Sequence, residues 1–111
     1  MALNYYAKEL KENAQLLASK GKGILAVDES TKTVGKRLAG IGVDNTEENR
    51  KAYRGMLFTT KDLGKYISGA ILFEETLFQN HPDGEPMVKK LNDLGIIPGI
   101  KVDKGLNPLP G

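Results

Sequence analysis

GIIPGIKVDKG, residues 95–105, begins as an apolar run and finishes in alternating charge, with Lys101 and Asp103 standing where a buried strand should continue. Side chains of a strand alternate between its two faces, so Ile100 and Val102 share one side while Lys101 and Asp103 share the other. If the apolar pair faces a layer of helices, the charged pair faces inward. At the carboxyl end of a barrel strand that inward side is the mouth, where barrel enzymes hold their reactive groups. An ion pair closing off a strand end is the simpler alternative.

Two earlier stretches have the same character. GILAV, residues 23–27, is a nearly continuous apolar run, the pattern of a parallel strand covered on both faces, and it ends at Asp28 with hydroxyls following at Ser30, Thr31 and Thr33. ISGAILF, residues 67–73, reads as a second strand. The intervening segments carry helical signals. Tyr6, Leu10, Ala14 and Leu17 fall on one face of an opening helix that Gly21 stops. Ser30 or Thr31 caps a helix with Val34, Leu38 and Ile41 at helical spacing before Gly42. Asn45-Thr46 with Glu47 and Glu48 opens another, carrying Ala52, Tyr53, Met56 and Leu57, because a capping side chain and two acids suit the positive end of a helix. The turn His81-Pro82-Asp83-Gly84 precedes a short helix through Val88 and Leu91.

Apolar strands separated by helices argue for βα units on a parallel sheet. Three such units occupy these 111 residues, whereas a closed (β/α)₈ barrel takes roughly 250. GLNPLPG, residues 105–111, reads as a loop where a further helix should begin. The expectation is therefore an α/β fold, the N-terminal part of a (β/α)₈ barrel with about three of its eight strands, in which residues 1–111 form one incomplete domain.

Composition narrows the chemistry. The chain has no cysteine and one histidine, which excludes thiol catalysis, disulfides and Cys- or His-cluster metal sites, and leaves little room for a Ser-His-Asp triad. With a formal charge of +2 and acids interspersed among the bases, the sequence lacks the basic stripe of a nucleic-acid binder. Its longest apolar runs fall far short of the roughly 20 residues that span a bilayer, and no secretory or transit segment is expected at the N-terminus. The expected setting is cytoplasmic, with no nucleic-acid or membrane partner.

Among the charged strand ends, Lys101 is a poor Schiff-base nucleophile, because an adjacent carboxylate favours the ammonium form. It is a better clamp for phosphate. Ser30, Thr33 and the N–H groups at a helix start could complete an anion site, and that combination suggests a phosphorylated substrate. Simple helix capping is the competing reading for the same hydroxyls. Lys36 and Arg37 would ordinarily form a solvated helix face, and only the phosphate reading singles out Arg37. Glu74 and Glu75 are neighbours, so they cannot converge on one bond as a catalytic pair and are expected to mark a strand end or helix start. His81 is expected to be a surface turn residue.

Taken together, GKGILAVDEST, KRLAGIG, NTEENR, GAILFEETLFQ and GIKVDKGLNPL closely resemble the N-terminal part of class I fructose-bisphosphate aldolase, in order and without an obvious gap from about Tyr6 to Gly111. The wording VDES, YISGAILFEET and PGIKVDKGL is nearer the plant and algal branch, for which a plastid setting is the alternative to the cytoplasm. The resemblance implies a (β/α)₈ barrel, a homotetramer, and cleavage of fructose 1,6-bisphosphate to dihydroxyacetone phosphate and glyceraldehyde 3-phosphate through a lysine Schiff base, with no metal or other cofactor. By matched motif it implies that Asp28 is the active-site aspartate of the first strand, that Ser30, Thr33 and Lys101 hold the sugar phosphate at the aldehyde end, and that Arg37 binds substrate. Asp103 supports the same charged cluster. Thr33 stands where animal forms commonly have serine, and Lys32 replaces a small residue beside it. The family's Schiff-base lysine, its general acid/base glutamate and its other phosphate site belong to later strands, so the isolated 111-residue chain is expected to be catalytically inert. A non-catalytic module that binds a sugar phosphate or a protein is the alternative.

Overall fold

The computed structural model describes residues 2–103, with side chains from Tyr6 onward. Three parallel strands, β1 (Gly23–Val27), β2 (Ile67–Leu72) and β3 (Ile97–Ile100), form one sheet in the order β1-β2-β3. Six helices accompany them: α1 (Ala2–Leu17), α2 (Thr31–Ala39), α3 (Glu47–Phe58), α4 (Leu63–Tyr66), α5 (Glu74–Phe78) and α6 (Met87–Asp93). Strand order that follows chain order, with helical crossovers between parallel neighbours, is the arrangement expected of successive βα units. The expected loop over residues 105–111 lies outside the described residues.

Register sorts the side chains into two faces. Leu25 pairs with Ala70 and Ala70 with Pro98, while Val27 pairs with Leu72 and Leu72 with Ile100. This row meets the helices: Val27, Ala70, Leu72 and Ile96 cluster with Phe58 of α3 and with Met87 and Leu91 of α6, each 2 % exposed or less. Burying a large apolar side chain of this kind contributes about 1.5–3 kcal/mol. The opposite face holds Ile24, Ala26, Gly69, Ile71, Ile97 and Gly99, and then the charged ends.

Four sequence expectations need correction. β1 is not covered on both faces: Ile24 is 54 % exposed and Ala26 is exposed, because among the described residues α3 and α6 seal one side of the sheet while the other meets only the end of α1, at Leu17. The helix α1 forms, but Tyr6, Leu10 and Ala14 are exposed and only Leu17 is half-buried. Leu17 reaches the open face at Gly69, where a Cβ would come within 2.5 Å of its Cδ2, and its carbonyl accepts a 2.8 Å bond from the buried Ser68 hydroxyl. In α3 the buried positions are Arg54, Gly55 and Phe58, while Met56 and Ala52 face solvent. Finally, His81 is in a turn but is not a plain surface residue. Its ring and Pro82 lie against α3 at Gly55, where a Cβ would sit 2.9 Å from the imidazole.

The turns follow their chemistry. Gly84 adopts φ +95° and donates to the His81 carbonyl, while the Asp83 carboxylate accepts from the Glu85 N–H at 3.0 Å. Lys90 of α6 holds Asp83, and this ammonium, with the Glu85 N–H, depresses the Asp83 carboxyl to about 2.

Candidate functional site

The carboxyl ends of the three strands converge on one cleft of about 690 Å³, whose wall includes Asp28, Ser30, Thr33, Lys101 and Asp103. Each arrives for a local reason. Asp28 directly follows the last paired residue of β1 and falls on the open face by alternation from Ile24 and Ala26. Lys101 is one residue past β3, and its N–H donates to the Leu72 carbonyl at 2.9 Å, so the ladder with β2 holds it in register. Its side chain shares the face of Asp28, as alternation predicts, but Val102 does not turn to the helices: β3 ends at Ile100, and Val102 is 88 % exposed and lines the same cleft.

The Lys101 Nζ lies 3.0 Å from Asp103 Oδ2 and 3.8 Å from Asp28 Oδ2. Hydrogen bonding to Asp103 raises the ammonium above its ordinary range, with Asp28 adding in the same direction. An amine held in its charged form suits anion binding and opposes nucleophilic attack, in the direction the sequence implied.

Ser30 is the N-cap of α2. Its Oγ accepts from the Thr33 N–H at 3.3 Å and lies 3.2 Å from Thr33 Oγ1. Capping and anion binding are compatible here. The cap uses an oxygen lone pair of Ser30, and the contact between the hydroxyls consumes one of two O–H donors, which leaves the other to point into the cleft. The cleft therefore presents one ammonium, at least one hydroxyl donor and the start of a helix.

Arg37 does not line the cleft. Its Nε pairs at 2.8 Å with Glu29, whose residue does line it, and the Arg37 side chain is 59 % exposed. Glu74 and Glu75 begin α5, as a helix start, and point apart: Glu74 lines the cleft, and Glu75 turns back toward α3.

Sequence reasoning gave no role to the group behind this wall. Arg50 grips Glu75 with two bonds, Nε to Oε1 and NH2 to Oε2, both 2.9 Å. This bidentate contact lowers the Glu75 carboxyl below its usual range and raises the Arg50 guanidinium. Arg50 NH1 also donates to Asn45 Oδ1 at 2.8 Å, and Asn45 Nδ2 donates to the Thr31 carbonyl at 3.2 Å. One turn along α3, Arg54 is fully buried, with NH1 3.5 Å from Glu75 Oε1, NH2 donating to the Glu29 carbonyl, and the guanidinium 5.6 Å from the centre of the Phe73 ring. Burial pushes its guanidinium down against the field of Glu75. The available signal was Arg50 and Arg54 at i, i+4, which places both on one face of the predicted helix.

Residues 9–111 match the family model described as class-I fructose-bisphosphate aldolase, glycolytic. The chain belongs to the class-I fructose-bisphosphate aldolase family. It is 67 % identical over 104 residues to fructose-bisphosphate aldolase 1 of Toxoplasma gondii, covering 94 % of this chain and 29 % of that protein. It is 62 % identical over 106 residues to the chloroplastic fructose-bisphosphate aldolase 3 of Arabidopsis thaliana, covering 96 % and 27 %. Among solved structures, fructose-bisphosphate aldolase from Plasmodium falciparum, in a ternary complex with TRAP and a small-molecule inhibitor, superposes with a TM-score of 0.88 at 62 % identity, covering 94 % of this chain and 30 % of that one. The chain thus spans less than a third of the length of these relatives. Its sheet is the first three-stranded part of an aldolase (β/α)₈ barrel.

Proposed function

We propose that this chain forms part of the substrate-binding wall of an aldolase that reversibly cleaves fructose 1,6-bisphosphate to dihydroxyacetone phosphate and glyceraldehyde 3-phosphate. The observation that carries this reading is the convergence of Lys101, Asp28, Ser30 and Thr33 on one cleft at the strand ends of a chain from this family. In this reading Lys101 and the hydroxyls of Ser30 and Thr33 hold the phosphate at the aldehyde end. Asp28 contacts substrate hydroxyls beside the bond that breaks. Asp103 keeps Lys101 charged, and Arg37, now paired with Glu29, swings to the substrate only by exchanging that carboxylate for phosphate.

The covalent chemistry falls to a lysine outside these residues. A protonated imine withdraws electrons from the breaking carbon–carbon bond and stabilises the developing carbanion, so a chain without that lysine lacks the electron sink. The isolated 111-residue chain is therefore expected to show no cleavage. The full-length protein is read as a homotetramer. Its setting is read as cytoplasmic, or plastid given the chloroplastic relatives from Arabidopsis thaliana and Spinacia oleracea.

The test is steady-state cleavage of fructose 1,6-bisphosphate by the full-length protein and its Lys101→Met variant. Removing one charge-assisted contact to phosphate should lower kcat/KM by at least about tenfold. Unchanged kcat/KM in the variant, or no cleavage by the parent, would overturn the proposal.

A further inference from the structure

Arg54 is a costly residue for its position. It is fully buried, and its Nε and NH1 make no hydrogen bond. A buried guanidinium with unfilled donors is a poor source of stability compared with a packed apolar side chain. Its remaining contacts explain what it does instead. NH2 donates to the Glu29 carbonyl, in the segment between Asp28 and Ser30, and the guanidinium carbon lies over the ring of Phe73, the residue that follows β2. Glu29 and Phe73 both line the cleft. Glu75, which Arg50 clamps with two bonds, lies 3.5 Å from Arg54 NH1.

One side chain from α3 therefore ties the outgoing end of β1 to the outgoing end of β2, two elements whose ladder has already stopped at Val27 and Leu72. From this geometry we infer that Arg54 is a positioning residue for the phosphate-binding loop. It touches no substrate; it fixes the Glu29 carbonyl, and through it the placement of the Ser30 and Thr33 hydroxyls relative to Lys101. Asp28 depends on it less, because Asp28 adjoins the last paired residue of β1. Loss of Arg54 therefore acts selectively on the phosphate end of the substrate. Arg50 serves by holding the Glu75 carboxylate, whose Oε1 lies 3.5 Å from Arg54 NH1.

This inference rests on the proposed phosphate site, and the experiment separates the two. Full-length Arg54→Met, Arg54→Lys and Lys101→Met proteins are assayed on fructose 1,6-bisphosphate and on fructose 1-phosphate, which lacks the phosphate at the aldehyde end. For Arg54→Met, kcat/KM on the bisphosphate falls by about tenfold or more, mostly through KM, while that on the monophosphate stays within about threefold. Arg54→Lys, which keeps the charge and one donor, recovers part of the loss, and it carries the comparison alone if Arg54→Met does not fold by thermal melting. An equal fall on both substrates assigns Arg54 a merely structural role and overturns the inference. So does an unchanged kcat/KM on both. If Lys101→Met itself shows no preference between the two substrates, the phosphate site is what fails.

Discussion

The two faces of the sheet are built from the same three strands and differ in almost everything else. On the helix side, Val27, Ala70 and Leu72 are sealed beneath α3 and α6 at 2 % exposure or less. On the other side, Ile24 is 54 % exposed, Ala26 and Gly99 are exposed, and Ile71 and Ile97 are half-buried. Strand composition cannot account for the contrast, since Ile24 and Ile71 are as apolar as Val27 and Leu72. What differs is the neighbour. The helices α3 and α6 seal one face and α1 touches the other only through Leu17 at Gly69, while the inner face of a barrel is filled by side chains contributed from all around the ring. The open face also carries the site, because the same alternation that exposes Ile24 and Ala26 delivers Asp28 to the mouth.

The contrast can be broken by mutation in the full-length protein. Phe58→Ala removes the α3 ring from the sealed core and should cost about 3–5 kcal/mol in denaturant unfolding. Ile24→Ala is the sharper test. With the barrel interior closed over it, the cost should be about 2–4 kcal/mol, approaching that of the core position. A cost below about 1 kcal/mol would mean that the inner face stays wet, and the barrel account of this sheet would fail.

A smaller effect is expected at the rim between the faces. Glu75→Gln leaves Arg50 and Arg54 without their shared carboxylate and should cost about 1–3 kcal/mol. The pH dependence has a definite sign. The Glu75 carboxyl is lowered in the folded protein, chiefly by the Arg50 hydrogen bonds. Its contribution is therefore fully present above the unfolded value of about 4.3 and is lost as pH falls through the lower folded value. Urea unfolding from pH 6 to pH 3 should show a steeper acid loss in the parent than in Glu75→Gln; parallel profiles would mean that the pair adds nothing. The smallest change is expected for the Lys89 and Asp93 pair on the outer side of α6, 2.8 Å apart but more than half exposed. Lys89→Ala should alter stability by less than about 0.5 kcal/mol, measured in the same way.

Local signals in the chain carried much of this architecture. The three strands fall within GILAV, ISGAILF and GIIPGI, the second ending one residue early at Leu72 and the third confined to Ile97–Ile100, Ser30 and Thr46 cap α2 and α3 through their side chains, and five of the six residues singled out at the site line one cleft. These features depend on near neighbours: alternation, capping and turn chemistry act over a few residues. Arg37 was the exception, drawn aside by Glu29. The short helix α4 has no signal in the sequence and α5 only the start that Glu74 and Glu75 mark, because four or five residues are too few to show a period.

What the sequence determined by itself was the succession of βα units, the face to which each strand-end charge belongs, and the protonated character of Lys101 beside Asp103. Tertiary structure alone decided which apolar residues are buried. It left Tyr6, Leu10 and Met56 in solvent and placed Arg54 at the centre of the rim. Burial is a property of what packs from elsewhere. No local pattern states that an arginine on α3 will meet a carbonyl 25 residues earlier in the chain, at Glu29, and a ring at Phe73. Only the sheet's register, by setting β1 beside β2, brings those groups within reach of one side chain.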